Sequence, residues 1–339
     1  MSGLIDSRSK RGVTMEKVRW GVLGTAGIAK GQTIPGMKQA QNCELYAIAG
    51  RSMEKAKAYQ EEFGFEKAYD DYDQMLADPN VEAVYIPLPN ELHHDWAIKA
   101  LKAKKHVLCE KPLAPTAQEA EEMILCAKEN GVFLMEAFAY LHSPYVSALK
   151  EVLDSGVIGD ICYMESAFIT SDYDVSNIRM RRETFGGALY DLGCYNTSLI
   201  LWLLGEEPEK VHACAEFSDR KVDSLTTAFL TFSGGKKAAF TCGMVLPTGM
   251  DKRLDRLQIH GTKGKILSDV EFNQEGECSF CVVTEEGTEV KTVSARQNYA
   301  LETEQLGRCI LNGETPYVSN EFTMTNSRVL DRLLREIGY

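Results

Sequence analysis

Between residues 18 and 136 short β-rich apolar runs alternate with amphipathic helical stretches. That rhythm restricts what the chain can fold into more than any other feature. The run Val18–Leu23 (VRWGVL) ends in Gly24-Thr25-Ala26-Gly27-Ile28-Ala29, and a helical pattern follows toward Ala40. A second run, Cys43–Ala49 (CELYAIA), stops at Gly50-Arg51-Ser52 and gives way to the helix-forming MEKAKAYQEEFG. Further strands are predicted at 83–87, 106–109 and 133–136, with helices at 72–77, 91–103 and 116–130 among them. Such alternation calls for a parallel sheet with helices on both faces.

The rhythm changes after about residue 145. Helices are predicted at 145–155 and 188–204 around a strand at 161–169, and strand candidates then follow one another at 210–216, 226–232, 238–244, 256–260, 264–268, 279–284 and 288–293. A helix over 319–337 closes the sequence. We therefore expect an α/β chain with two domains: a doubly wound, dinucleotide-binding Rossmann domain over 15–139, and an α+β domain over 140–339 with a large, mostly antiparallel, open sheet. The 319–337 helix is expected to pack back on the first domain. A sheet covered on one face leaves the other for self-association, so a homodimer or homotetramer through that face is expected.

Composition excludes several partners. With 37 Lys plus Arg against 49 Asp plus Glu, the net charge is −12, which disfavours nucleic acid and anionic lipid. The sequence shows neither a long apolar run nor a secretory signal pattern, which implies a cytoplasmic protein acting on a small molecule. Residues 1–14 lack periodicity and read as a disordered extension, with Met15 a candidate start. Ten cysteines lie in apolar surroundings, as reduced thiols do. Only Cys278 and Cys281 form a C-x-x-C, and without a second pair or suitably spaced histidines we expect no metal site.

The turn after the first strand is an imperfect G-x-G-x-x-G, with Ala26 and Ala29 in place of the second and third glycines. Gly24, Thr25, Ala26, Gly27 and Ile28 are candidates to cradle a pyrophosphate with backbone amides. An ordinary strand-to-helix turn packed with small residues explains the same stretch. At the end of the second strand, where an acidic residue would hold ribose hydroxyls, stand Arg51 and Ser52. Their chemistry suits a 2′-phosphate, so NADP is expected, with NAD the alternative.

Five segments carry a family resemblance: the GTAGIA turn, P-N-x-x-H at 89–93, E-K-P-L at 110–113, E-A-F-x-Y at 136–140 and G-G-A-L-x-D-x-G-x-Y at 186–195. Over about residues 16–335 the chain resembles the Gfo/Idh/MocA oxidoreductases, in the branch of glucose-fructose oxidoreductase, dimeric dihydrodiol dehydrogenases and NADP-dependent xylose dehydrogenases. The resemblance implies that Lys111 is the active-site lysine, that Glu110 lies near the nicotinamide ribose, and that Pro112 follows a cis peptide bond. It implies cofactor-side roles for Pro89, Asn90 and His93, and substrate-side roles for Tyr140, Arg179 and Asp191. Asp191 and Tyr195 are four apart, so a helix presents both to one cleft. Tyr195 is then the expected proton-exchanging group, its phenol made more acidic by the Lys111 ammonium. Phe185 replaces the first of three family glycines, and Leu141 and Ser143 stand where the branch has Arg and His.

The function so implied is hydride transfer between nicotinamide C4 and a secondary carbinol or ketone carbon of a sugar, cyclic polyol or trans-dihydrodiol. A redox-neutral sugar-modifying enzyme with retained cofactor is the alternative, and a dinucleotide-sensing regulator without turnover is a third reading.

Overall fold

The computed structural model describes residues 16–171, 173–247, 253–269, 272 and 275–339. The expected extension over 1–14 and the candidate start at Met15 lie outside them. Chain order begins β1 (Val18–Leu23), α1 (Ile34–Gln39), β2 (Cys43–Ala49), α2 (Met53–Phe63), β3 (Lys67–Tyr69) and α3 (Tyr72–Ala77). It continues β4 (Ala83–Ile86), α4 (His93–Lys102), β5 (His106–Glu110), α5 (Ala117–Asn130) and β6 (Leu134–Ala137). These strands form one parallel sheet in the order β3-β2-β1-β4-β5-β6. The order reverses between β1 and β4, and in such sheets the crevice at that point holds the ligand.

Local chemistry explains the elements. Val22, Ile48, Val84 and Leu108 are fully buried, because strands covered on both faces must be apolar throughout. Thr116 and Glu119 form a reciprocal capping box at the start of α5, and Gly131 in the left-handed region ends it. Gly24 turns the chain at φ +124°, and a Cβ there would press against Leu88, so glycine is required.

The second half contains α6 (Pro144–Asp154), β7 (Ile161–Ser171), α7 (Cys194–Leu204), β8 (Lys210–Phe217), β9 (Asp223–Thr231), β10 (Lys237–Leu246) and β11 (Arg253–Gly261). It ends with β12 (Gly264–Ser268), β13 (Gly276–Thr284), β14 (Gly287–Ala295), α8 (Asn298–Asn312) and α9 (Asn320–Ile337). Eight strands run β14-β13-β12-β11-β7-β10-β9-β8, antiparallel except where β7 meets β10. Helix α9 packs on α5, α7 and β8, and the Asp331 carboxylate accepts the Ala117 amide hydrogen at 3.1 Å. Helix α8, absent from the sequence reading, packs on α1 and so joins the two sheets' layers. The short β3 was also unanticipated.

Two helices begin differently from the sequence expectation. Residues Ala29–Thr33 ahead of α1 and Leu189–Gly193 ahead of α7 are π-helical turns. Both flank the main cavity, and such widened turns are frequent beside functional sites. Asp223 steadies the second one, accepting the Leu189 amide hydrogen at 2.8 Å and the Thr226 hydroxyl at 2.6 Å.

Candidate active site

A cavity of about 580 Å³ lies between the two sheets. One wall comes from the carboxyl ends of the parallel strands: Ala26, Gly27 and Ile28 after β1, Leu88 and Asn90 after β4, and Glu110 with Lys111 at the end of β5. The other wall holds Phe168, Tyr173, Arg179, Asp191 and Tyr195, with Arg253 and Tyr299. Asn90 crosses between them, its side-chain amide donating to the Phe185 carbonyl at 2.9 Å.

Charge in this cavity is paired around Asp191. Lys111 Nζ donates to the Asp191 backbone carbonyl at 2.7 Å and to Oδ1 at 2.9 Å, and Arg179 Nε donates to Oδ2 at 2.6 Å. Burial opposes the charged carboxylate, but the guanidinium and the ammonium outweigh it and hold Asp191 well below the usual carboxylate range. Burial likewise works against the Lys111 ammonium, and Asp191 reverses the balance and raises its pKa. Asp191 raises that of Arg179. Both cations therefore stay charged at neutral pH. The Lys111–Pro112 peptide is cis.

Tyr195 differs from the sequence expectation. The Lys111 ammonium sits 4.7 Å from the centroid of the Tyr195 ring, a cation–π contact with the face of the ring. The phenol is raised well above its ordinary value of 10, first by burial and then by the negative charge of Glu110. The expected acidification is thus corrected: Asp191 engages the ammonium, and desolvation dominates the phenol. Phe138, Tyr140, Phe168 and Phe272 surround the ring at centroid distances of 5.3 to 5.9 Å.

The remaining expected residues separate by place. Tyr140 is fully buried behind Tyr195, its hydroxyl 2.7 Å from Ser198 Oγ, so it supports the tyrosine instead of touching substrate. His93 is also fully buried, with Nδ1 2.9 Å from the Pro112 carbonyl and Nε2 2.7 Å from the Leu88 carbonyl. It ties the loops after β4 and β5 together behind the cavity wall, which corrects the expected cofactor contact. Burial lowers its pKa. Pro89 lies between the cavity-lining Leu88 and Asn90. Gly24 and Thr25 lie at the turn's base, and exposed Arg51 with Ser52 marks the start of α2, next to Gly50, which packs against Thr25. Leu141 and Ser143 are both buried, away from the cavity.

Sequence reasoning missed Tyr299, Arg253, Phe168 and Tyr173. Arg253 lies over the Phe168 ring at 4.4 Å and pairs with Asp255, and Arg179 lies 5.1 Å from the Tyr173 ring centre. Tyr299 had a signal: Tyr299, Thr303, Leu306 and Ile310 repeat at helical spacing along α8.

The backbone around the dinucleotide turn fits a pyrophosphate. A Cβ built on Gly27 meets nothing within 4 Å, so its backbone faces open space at the beginning of a helix. Residues 18–138 match the model of an oxidoreductase family with an NAD-binding Rossmann fold, and residues 146–267 match the C-terminal domain of the same Gfo/Idh/MocA family.

The chain belongs to the Gfo/Idh/MocA family.

It is thus an oxidoreductase whose cofactor is a nicotinamide dinucleotide. An uncharacterised oxidoreductase from Rhizobium meliloti is 35% identical, over 95% of this chain and 97% of its own length. A D-xylose 1-dehydrogenase (NADP(+)) from Haloferax volcanii is 33% identical, over 93% and 95%. A 3-ketoreductase from Actinomadura kijaniata, crystallised with NADP and TDP-benzene, superimposes with a TM-score of 0.89 at 30% identity, covering 95% of this chain and 98% of that one. The same ketoreductase has been crystallised with one lysine changed to alanine and with one tyrosine changed to phenylalanine.

Proposed function

We propose that the protein transfers a hydride between NADP and a secondary alcohol or ketone carbon of a sugar, cyclic polyol or trans-dihydrodiol. The observation that carries this reading is that Lys111, Asp191, Arg179 and Tyr195 line the same cavity as Ala26, Gly27 and Ile28 of the dinucleotide turn. The similarity to a xylose dehydrogenase, a sugar-nucleotide ketoreductase and, at 30% identity, a trans-1,2-dihydrobenzene-1,2-diol dehydrogenase from Xenopus laevis supports the substrate class. NADP is preferred to NAD because Arg51 and Ser52 occupy the ribose-binding corner.

Gly24 to Ile28 would hold the pyrophosphate, and the nicotinamide end would lie toward Asn90, Glu110 and Lys111. A bound cofactor supplies the hydride at C4 of its ring. Lys111 Nζ uses two of its three hydrogens on Asp191, and the third suits a substrate oxygen. Tyr195, kept neutral by burial, donates its phenolic proton to that oxygen as the carbonyl is reduced. Asp191 and Arg179 fix the ammonium in place. Donation leaves a phenolate that the same burial disfavours, so a proton returns to Tyr195 from solvent before the next turnover.

We place the domain division at 139/140. The outer face of the larger sheet exposes Phe229, Val245, Leu254 and Val290, which supports a homodimer or homotetramer through it. All ten cysteines are free thiols, which supports a reducing, cytoplasmic setting. Among the described residues no helix is long and apolar enough to cross a membrane.

The decisive test follows NADPH absorbance while aldoses, ketoses, inositols, diols and their oxidised forms are screened. The reading requires turnover with at least one of these classes, and requires Lys111→Ala and Tyr195→Phe to abolish most of it. Near wild-type rates in both variants would remove the mechanism.

A further inference from the structure

Beneath the reacting end of the cavity lies a buried chain of hydroxyls that the proposed mechanism does not use. Thr33 Oγ1 donates to Tyr85 Oη at 2.8 Å, and Tyr85 Oη donates to Glu110 Oε1 at 2.6 Å. Thr33 and Tyr85 are completely buried, Thr33 at the end of the π-helical turn after β1 and Tyr85 on β4. The chain links the helical turn that follows the dinucleotide turn to the carboxyl group beside Lys111. Glu110 is itself 9% exposed and faces the cavity.

A second buried carboxyl lies nearby. Glu302 on α8 is fully buried, and neither of its oxygens finds a hydrogen-bond partner among the described residues. The two groups sense each other's charge, so ionising both is unfavourable. Their surroundings separate them. Burial, reinforced by Glu110, pushes Glu302 far up, whereas Glu110 rises with burial but is pulled back by the Tyr85 hydroxyl and the Lys111 ammonium. Glu110 stays raised on balance, but its two oxygens both accept hydrogens, Oε1 from Tyr85 and Oε2 from the Lys111 amide at 3.3 Å, which suits a carboxylate, whereas Glu302 has no such donors among the described residues.

We propose that Tyr85, backed by Thr33, is a positioning residue that keeps Glu110 as a carboxylate at the nicotinamide end of the crevice and so makes the protein prefer the oxidised cofactor. The preference is electrostatic in origin. The nicotinamide ring is a cation in NADP⁺ and neutral in NADPH, so a fixed carboxylate at the end of β5 stabilises the oxidised form selectively. Phosphates, ribose and adenine are common to both forms and cancel in the comparison. Tyr85 has no contact with the cavity, so its influence passes through Glu110. The inference rests on the cofactor orientation given above, with the nicotinamide half on the β4–β5 side of the strand-order reversal.

The test measures the dissociation constants of NADPH, by its fluorescence, and of NADP⁺, by competition, in the wild type and in Tyr85→Phe, Thr33→Val and Glu110→Gln. Tyr85→Phe removes the hydroxyl but keeps the ring. It is expected to raise the ratio Kd(NADP⁺)/Kd(NADPH) by about tenfold, the effect of one pKa unit in a neighbouring group. Glu110→Gln should raise it at least as much, and Thr33→Val less but in the same direction. A purely structural role for Tyr85 would weaken both forms equally, and that result overturns the proposal, as does an unchanged ratio in Glu110→Gln. Should Tyr85→Phe fail to fold, Thr33→Val decides, an unchanged ratio there being the overturning result. A wild-type protein that binds neither form would defeat the reading of the cofactor site itself, whereas tight binding of both with an indifferent ratio in the variants defeats only this inference.

Discussion

The two ends of the crevice are built on opposite principles. At the outer end, by the dinucleotide turn, Arg51 is exposed and Gly27 faces open space, so the recognition proposed there rests on backbone amides and one solvated guanidinium. At the inner end the Lys111 and Asp191 side chains are only 10% and 11% exposed, and Asp191 is shared between two cations. Water screens the first and is excluded from the second. The outer end therefore adds little to the fold, while the inner end concentrates buried charge in a few mutually paired groups that the proposed chemistry shares with stability.

The sharpest way to break this comparison is Asp191→Ala, which leaves two cations without their shared buried partner. A loss of about 3–5 kcal/mol in unfolding free energy is expected, together with loss of turnover, as chemical denaturation and activity assays would show. Unchanged stability would mean that the inner end is as solvated as the outer. Lys111→Ala and Tyr195→Phe should each lower turnover by roughly 10² or more while NADPH affinity stays close to wild type, readable as kcat against Kd.

Acidity sharpens the same contrast. Asp191 has a folded-state pKa depressed below its unfolded value, so its contribution to stability is complete above that unfolded value, near 4. It is lost as pH falls through the lower folded value. Stability measured from pH 6 to pH 2 should therefore decline for the wild type more steeply than for Asp191→Asn. At the alkaline side the raised Tyr195 phenol predicts a ketone-reduction rate that does not fall between pH 7 and about 10, where an unperturbed tyrosine would begin to lose its proton. A drop near pH 8 would restore the acidified tyrosine that the sequence suggested.

Smaller effects belong to the periphery. Arg51→Ala should weaken NADP by about tenfold and leave NAD unchanged, one charge-assisted contact being worth about that much. Equal losses for the two cofactors would show that Arg51 does not read the 2′-phosphate. Tyr140→Phe removes the hydroxyl's contacts with Ser198 Oγ and with the Tyr195 carbonyl behind the Tyr195 ring, at a cost of about 1 kcal/mol in stability.

Much of the fold was legible because buried strands and amphipathic helices leave periodic traces. The runs at Val18–Leu23 and Cys43–Ala49 became strands at the same residues, and the helix expected over 116–130 became α5 over Ala117–Asn130. Helix α8 escaped because its buried face contains Glu302, Thr303, Glu304 and Gln305, polar residues that weaken an apolar stripe. The π-helical turns escaped because no residue-type preference separates them from α-helix. At the site, the family resemblance brought Lys111, Asp191 and Tyr195 forward, and they line the cavity, while His93 and Tyr140 are buried behind its wall, since the sequence alone does not distinguish a side chain facing a cleft from one backing it.

By itself, then, the sequence determined a parallel sheet followed by a largely antiparallel one, the dinucleotide turn, and the residues able to carry charge. Those properties follow from local periodicity and residue chemistry. Only the tertiary structure decided which charges neutralise each other. Lys111 and Asp191 are 80 residues apart, and Tyr85 and Glu110 are 25 apart. The protonation state of each group depends on the partner and the burial that folding provides. Tyr195 shows the consequence: Lys111 meets the face of its ring while burial governs its hydroxyl, and the phenol keeps its proton.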